Sequence, residues 1–213
     1  DDAEWMASTR NPMREEDGRV WMTAQVRAGG KDYFPSWAKK TIVTPSNDPA
    51  DVDAALNMIS ARGNNMQLGY YDLKTNKFVS VNTAYNTHHL QLDAQGRIWT
   101  DGGGSAAGML DTKKLDFNNI EGTEADAQKM FVRIDPATKK MIPGTGYGEA
   151  VSPVDGTVWY SSPNVAGPAN KVYRVDPKTN EIKDFPLPAP GRFSHGIASS
   201  SAGNVWRPTG GGH

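Results

Sequence analysis

Apolar and polar positions alternate in short runs along this chain, and most runs are closed by Gly, Asn, Asp or Pro. Period-two alternation between turn residues reads as short β-strands, each with one face in a core. Four segments repeat one pattern: "EDGRVWMTA", "AQGRIWTDG", "VDGTVWYSS" and "AGNVWRPT" each set a tight turn ahead of an apolar-aromatic pair, at Trp21, Trp99, Trp159 and Trp206. Between them lie "LGYYDLKTNKFVSV", "MFVRIDPATKKMIPG" and "KVYRVDPKTNEIKDFPL", each a β-rich run, then Asp-x-x-Thr, then another run. The Asp and Thr side chains can bond the turn backbone, so each of these is a predicted hairpin.

One unit is therefore four antiparallel strands, clearest in "EAVSPVDG", "TVWYSS", "KVYRVD" and "EIKDFPLP". Four-stranded units repeated along a chain predict a β-propeller, here all-β, with each Trp packed between neighbouring blades. Residues 1–213 are expected to form one partial propeller domain of about three and a half blades. Its blades span about 10–83, 88–144 and 148–188, with a half blade at 195–209. The extra residues 28–66 and 103–129 read as insertions between second and third strands, both on the face where first strands begin. The first should carry a short helix over about 50–62, capped by Asp48, with Pro49 in its first turn. Closed propellers need at least four blades, and open ones expose sheet edges. The expectation is a piece of a longer protein whose remaining blades come from the same polypeptide or another chain.

Composition removes several function classes. A net charge of −1 offers no basic face for nucleic acid. With no Cys, disulfides, thiolate nucleophiles and Cys-ligated zinc are excluded. No apolar run approaches the roughly 18 residues of a spanning helix.

Eleven residues before each repeated Trp stand Arg10, His88, Gly148 and His195, the predicted starts of the first strands near the central channel. His88 and His195 there can bond the next blade's backbone or contact a ligand or metal, and both readings stay open. His89, as the next residue of a strand, should point away from His88. Arg10, Asp101 and Glu149 are the other polar groups at comparable depth, with Asp101 followed by three glycines that let a ligand approach closely. The candidate set is thus His88, His195, Asp101 and Glu149 for catalysis, Arg10, His88 and His89 for ligand binding, and His88 with His195 for a metal. Neither a Ser-His-Asp order nor a metal motif such as H-E-x-x-H is present.

The stretches "KVYRVDPKTNEIKDFPLPAPGRFSHGIASSSAGNVW" and "DAQGRIWTDGGG" resemble the repeat of the virginiamycin B lyase (streptogramin lyase) type of propeller. "RNPMREEDGRVWMT" and "THHLQLDAQGRIWTDGGG" are still more similar to large uncharacterised bacterial proteins carrying such a propeller, often exported. The resemblance implies the fold, a periplasmic or extracellular location, and a magnesium or other divalent ion held with His and Glu for ester opening by elimination. His88 and His195 match the repeat's His; its Glu is replaced by Ala24, Asp101, Ser162 and Thr209, so Asp101 alone stays acidic. The leading expectation is a ligand-binding or scaffold propeller portion of a larger exported protein, taking a small-molecule or polymer ligand. The alternative is a metal-assisted lyase or hydrolase acting on a cyclic ester or related substrate.

Overall fold

The computed structural model describes residues 10–25, 34–62, 66–101, 106–135, 137–140, 142, 148–161, 171–187 and 196–206. The chain begins with β1 (Arg10–Arg14) and β2 (Arg19–Gln25), then leaves this sheet to form β3 (Ile42–Val43) and α1 (Pro49–Arg62). It returns as β4 (Met66–Asp72) and β5 (Lys77–Val81), completing an antiparallel sheet in the order β1-β2-β4-β5. The second sheet comprises β6 (Leu90–Leu92), β7 (Arg97–Asp101), β8 (Ala106–Asp111) and β9 (Gln128–Val132), with β3 added as a fifth, parallel strand beside β9. The third holds β10 (Glu149–Val151), β11 (Val158–Ser161), β12 (Lys171–Asp176) and β13 (Glu181–Pro186) in sequence order. β14 (Ala198–Ser199) and β15 (Val205–Trp206) form a two-stranded start of a fourth.

First strands of successive sheets touch one another, β1 against β6, β6 against β10 and β10 against β14. Each sheet therefore presents its first strand innermost, and the array is a partial β-propeller of three blades and a half blade. The turn chemistry follows the expected pattern. The carboxylates of Asp72, Asp135 and Asp176 accept backbone N–H groups two residues on, from Lys74 (2.8 Å), Ala137 (2.8 Å) and Lys178 (2.9 Å).

The repeated tryptophans define the packing between blades. Trp21 is fully buried with Leu68 and Tyr70 of its own blade against Leu90, Ile98 and Leu110 of the next. Trp99 stacks near Phe131 and meets Val158, Tyr160 and Tyr173 of the third blade. Trp159 packs with Phe185 against Ile197 and Val205 of the half blade. Trp206 occupies the matching position opposite Ala198 and is 65 % exposed.

α1 forms where expected, with the Asp48 carboxylate accepting the Ala50 N–H at 2.9 Å. Its Ala55 and Ile59 pack with Ala38, Ile42, Tyr85, Met130 and Val132. The first insertion therefore caps the second blade, where β3 covers an edge that would otherwise offer free backbone groups.

The second expected insertion, 103–129, is corrected. Ala106–Asp111 is the third strand of its blade and Gln128–Val132 the fourth, so the excursion spans residues 112–127, between third and fourth strands. It leaves from Asp111, where Thr112 bonds the Gly96 carbonyl, at the end of the blade opposite Asp101 and His88. The first insertion leaves from the pair Gln25 and Met66, near Thr23, whose hydroxyl donates to the His88 carbonyl at 2.8 Å. The two excursions thus depart at opposite ends and meet around the blade's outer edge, where Lys40 pairs with Asp126 at 2.8 Å. The error has a physical cause. "AAGMLD" lacks β-branched and aromatic residues, because its small side chains let Tyr85 lie on the strand; a Cβ on Gly108 would come within 2.2 Å of that ring.

Candidate functional site

The link from β5 to β6 crosses the inner end of the first two blades and is pinned at several points. Gln67 accepts the Thr83 N–H through its amide oxygen at 2.6 Å, and its carbonyl accepts the Thr87 hydroxyl at 2.9 Å. Thr83 in turn donates its hydroxyl to the Tyr85 carbonyl at 2.7 Å. These bonds deliver His88 and His89 to the end of β7. There the His88 N–H donates to the Asp101 carbonyl at 2.8 Å, and the His89 N–H to Asp101 Oδ1 at 3.0 Å.

Both histidine rings turn to the same place. Their centroids are 4.2 Å apart at 88°, with Nδ1 facing Nδ1 at 3.1 Å. His89 Nδ1 lies 3.0 Å from Asp101 Oδ2, and His88 Nδ1 lies 3.8 Å from Oδ1. The expectation that His89 points away from His88 is therefore overturned. Strand β6 begins at Leu90, so the two histidines stand in the irregular approach, where period-two alternation does not apply. The imidazoles are 17 % and 22 % exposed while the Asp101 carboxylate is fully buried, so the cluster has a closed floor and an open mouth.

Asp101 also reaches the third blade, its Oδ2 accepting the Gly148 N–H in a short hydrogen bond. Glu149 follows on β10, buried, with Tyr160 opposite it on β11 and Tyr173 opposite Tyr160 on β12. The two tyrosine rings stack at 4.8 Å and 8°. Burial pushes the Glu149 carboxyl well above its usual range, and the Asp101 charge adds to the effect. Burial likewise raises the Tyr160 phenol, with Tyr173, Glu149 and Asp101 as further contributors. Among the described residues, Glu149 Oε2 and the hydroxyls of Tyr85, Thr100, Tyr160 and Ser161 are buried without a hydrogen-bond partner. Such a group of polar atoms is costly unless something bonds it.

The structure thus brings together His88, His89, Asp101 and, behind them, Glu149. His195 and the side chain of Arg10 lie outside the described residues, so the expected pairing of His88 with His195 falls there too. Sequence reading missed Tyr85, Tyr160 and Tyr173. The hairpin register places Tyr160 across from Glu149, and that signal could have found it. A separate cavity of about 580 Å³ lies at the other end of the second and third blades. Its acids are occupied in turns: Asp93 holds Arg97 at 2.6 Å and the Trp99 indole at 2.8 Å, and Asp155 holds Thr157 at 2.8 Å.

No protein-family model matches this sequence, and neither does any curated protein. Among solved structures, a streptogramin B lyase is similar over 95 % of this chain and 48 % of its own, at 13 % identity and a TM-score of 0.55. A protein of unknown function from Bacteroides thetaiotaomicron is similar over 97 % of this chain and 39 % of its own, at 9 % identity and a TM-score of 0.54. An auxiliary nutrient binding protein from Bacteroides ovatus aligns over 68 % of this chain and 31 % of its own, at 12 % identity and a TM-score of 0.47. At these identities the likeness establishes the fold alone. The chain spans less than half the length of the first two. No helix among the described residues is long and apolar enough to cross a membrane.

Proposed function

We propose that this chain is the ligand-binding portion of a larger, exported propeller protein, with its ligand face at the mouth formed by His88, His89 and Asp101. The observation that carries this reading is the convergence of two partly exposed imidazoles on a fully buried carboxylate at the inner end of the blades. A site of this build can bond a polar ligand through the rings while Asp101 holds them in place. Further blades would cover Trp206, and the half-length match to the first structures is what a portion of a larger ring predicts. The test is a screen of small polar molecules and oligosaccharides by ligand-detected NMR on the 213-residue chain. His88→Ala should weaken binding at least tenfold and lower the melting temperature by less than about 2 °C. A large loss of stability with unaltered binding would return the histidine to the scaffold.

A second reading is supported by Glu149, whose raised proton affinity beside Asp101 suits a proton donor or acceptor. In that reading the chain is a lyase of the streptogramin lyase type, opening a cyclic ester by elimination. Incubation with a cyclic depsipeptide, followed by mass spectrometry, separates the outcomes. Elimination opens the ring without a change in mass, whereas hydrolysis adds one water. An unopened ring, with the purified protein folded and in excess, removes this reading.

A further inference from the structure

We infer that His88 Nδ1, His89 Nδ1 and Asp101 Oδ2 form a binding site for one first-row divalent transition ion, such as cobalt or nickel. The geometry comes first. Ligands at about 2.1 Å from an ion and at right angles to one another stand about 3.0 Å apart. The His88–His89 nitrogens are 3.1 Å apart, and the His89 nitrogen is 3.0 Å from the Asp101 oxygen. All three residues offer ligand atoms within 4.8 Å of one another. Two imidazole nitrogens and one carboxylate, with open positions on the solvent side, make the donor set that nitrogen-preferring divalent ions take.

The supports of the site are already in place. Asp101 is oriented by the N–H groups of His89 and Gly148, and the His88 backbone is held on both sides, by the Asp101 carbonyl and the Thr23 hydroxyl. Ligands fixed in this way lose little freedom when the ion enters. Adjacent histidines seldom share a target when they lie in a strand. Here the irregular approach to β6 turns both Nδ1 atoms to one point.

This set does not fit magnesium, the ion that the resemblance to streptogramin lyases implies. Magnesium is a hard ion that takes oxygen ligands and water, and two of these three donors are nitrogen. The ion expected here is different in kind, and the three ligands named all come from the second blade.

The experiment uses the 213-residue chain after treatment with a chelator, titrated with cobalt(II) and, separately, magnesium(II). Calorimetry and the visible absorption of bound cobalt are both read. One equivalent of cobalt should bind with a new visible band, and magnesium should bind at least tenfold more weakly. His88→Ala and His89→Ala should each weaken cobalt binding at least tenfold. Asp101→Asn could perturb folding through Gly148, so the two histidine variants decide, each checked by circular dichroism. Cobalt binding that is absent, that survives in both folded histidine variants, or that magnesium matches would overturn the site. The inference concerns the same mouth as the proposed ligand face, but it does not fail with that proposal. Cobalt binding without any small-molecule ligand supports the ion site alone. Small-molecule binding lost in His88→Ala without cobalt binding overturns the ion site and leaves the ligand face.

Discussion

Glu124 shows how one residue can carry a pH dependence for the whole fold. Its carboxylate accepts the Asn82 N–H at 3.1 Å, and burial raises its proton affinity until it titrates at about 7. The same group in the unfolded chain titrates near 4.5, so between these values the folded protein holds the extra proton. Its contribution is greatest below about 4.5 and is lost as the pH rises through about 7. Glu124→Gln keeps the side chain neutral at every pH. Urea unfolding of both proteins should show the variant gaining on the parent from pH 5 to pH 8, with little difference at pH 4. Parallel curves across that range would mean that Glu124 titrates normally.

At the scale of the element, the β6–β7 hairpin rests on Asp93. One carboxylate accepts the Gln95 N–H at 2.9 Å, the Arg97 N–H at 3.0 Å, the Arg97 guanidinium at 2.6 Å and the Trp99 indole at 2.8 Å. The arrangement recurs in the first blade, where Glu15 accepts the Trp21 indole at 2.8 Å and the Thr112 hydroxyl at 2.5 Å. Third-blade geometry differs, because Pro153 stands where an acid would and the Trp159 indole turns to Thr157 at 3.1 Å. Asp93→Ala leaves a mostly buried guanidinium and an indole N–H without their acceptor. It should cost about 3 kcal/mol in denaturant unfolding. A loss below about 1 kcal/mol would mean that the hairpin holds itself without the carboxylate.

For the whole molecule, the decisive contrast lies between equivalent tryptophans. Trp99 is fully buried between two blades, whereas Trp206 at the same repeat position is 65 % exposed. Trp99→Ala should therefore destabilise the chain by about 3–5 kcal/mol, and Trp206→Ala by less than about 1 kcal/mol. Equal losses would place Trp206 in a packed interface within this chain.

What the sequence by itself determined is the repeat: where the hairpins of the first and third units fall, which tryptophans are equivalent, and that His88 enters at the inner end of a blade. Those features are local. Turn residues and period-two alternation act over a few positions, so they can be read without knowing what lies across the core. The capped helix α1 belongs with them, since Asp48 and Pro49 act within one turn. Tertiary structure alone decided that "AAGMLD" is a strand, because its small residues are explained by the Tyr85 ring lying on Gly108. It also decided that His89 turns toward His88, since the pins from Gln67 and Thr23 come from another blade and override alternation. The pairing of Asp101 with Gly148, and the burial of Glu149 behind it, arise where two blades close on each other. Contacts between distant parts of the chain leave no period in the sequence, and for that reason the site was only half legible before the fold was known.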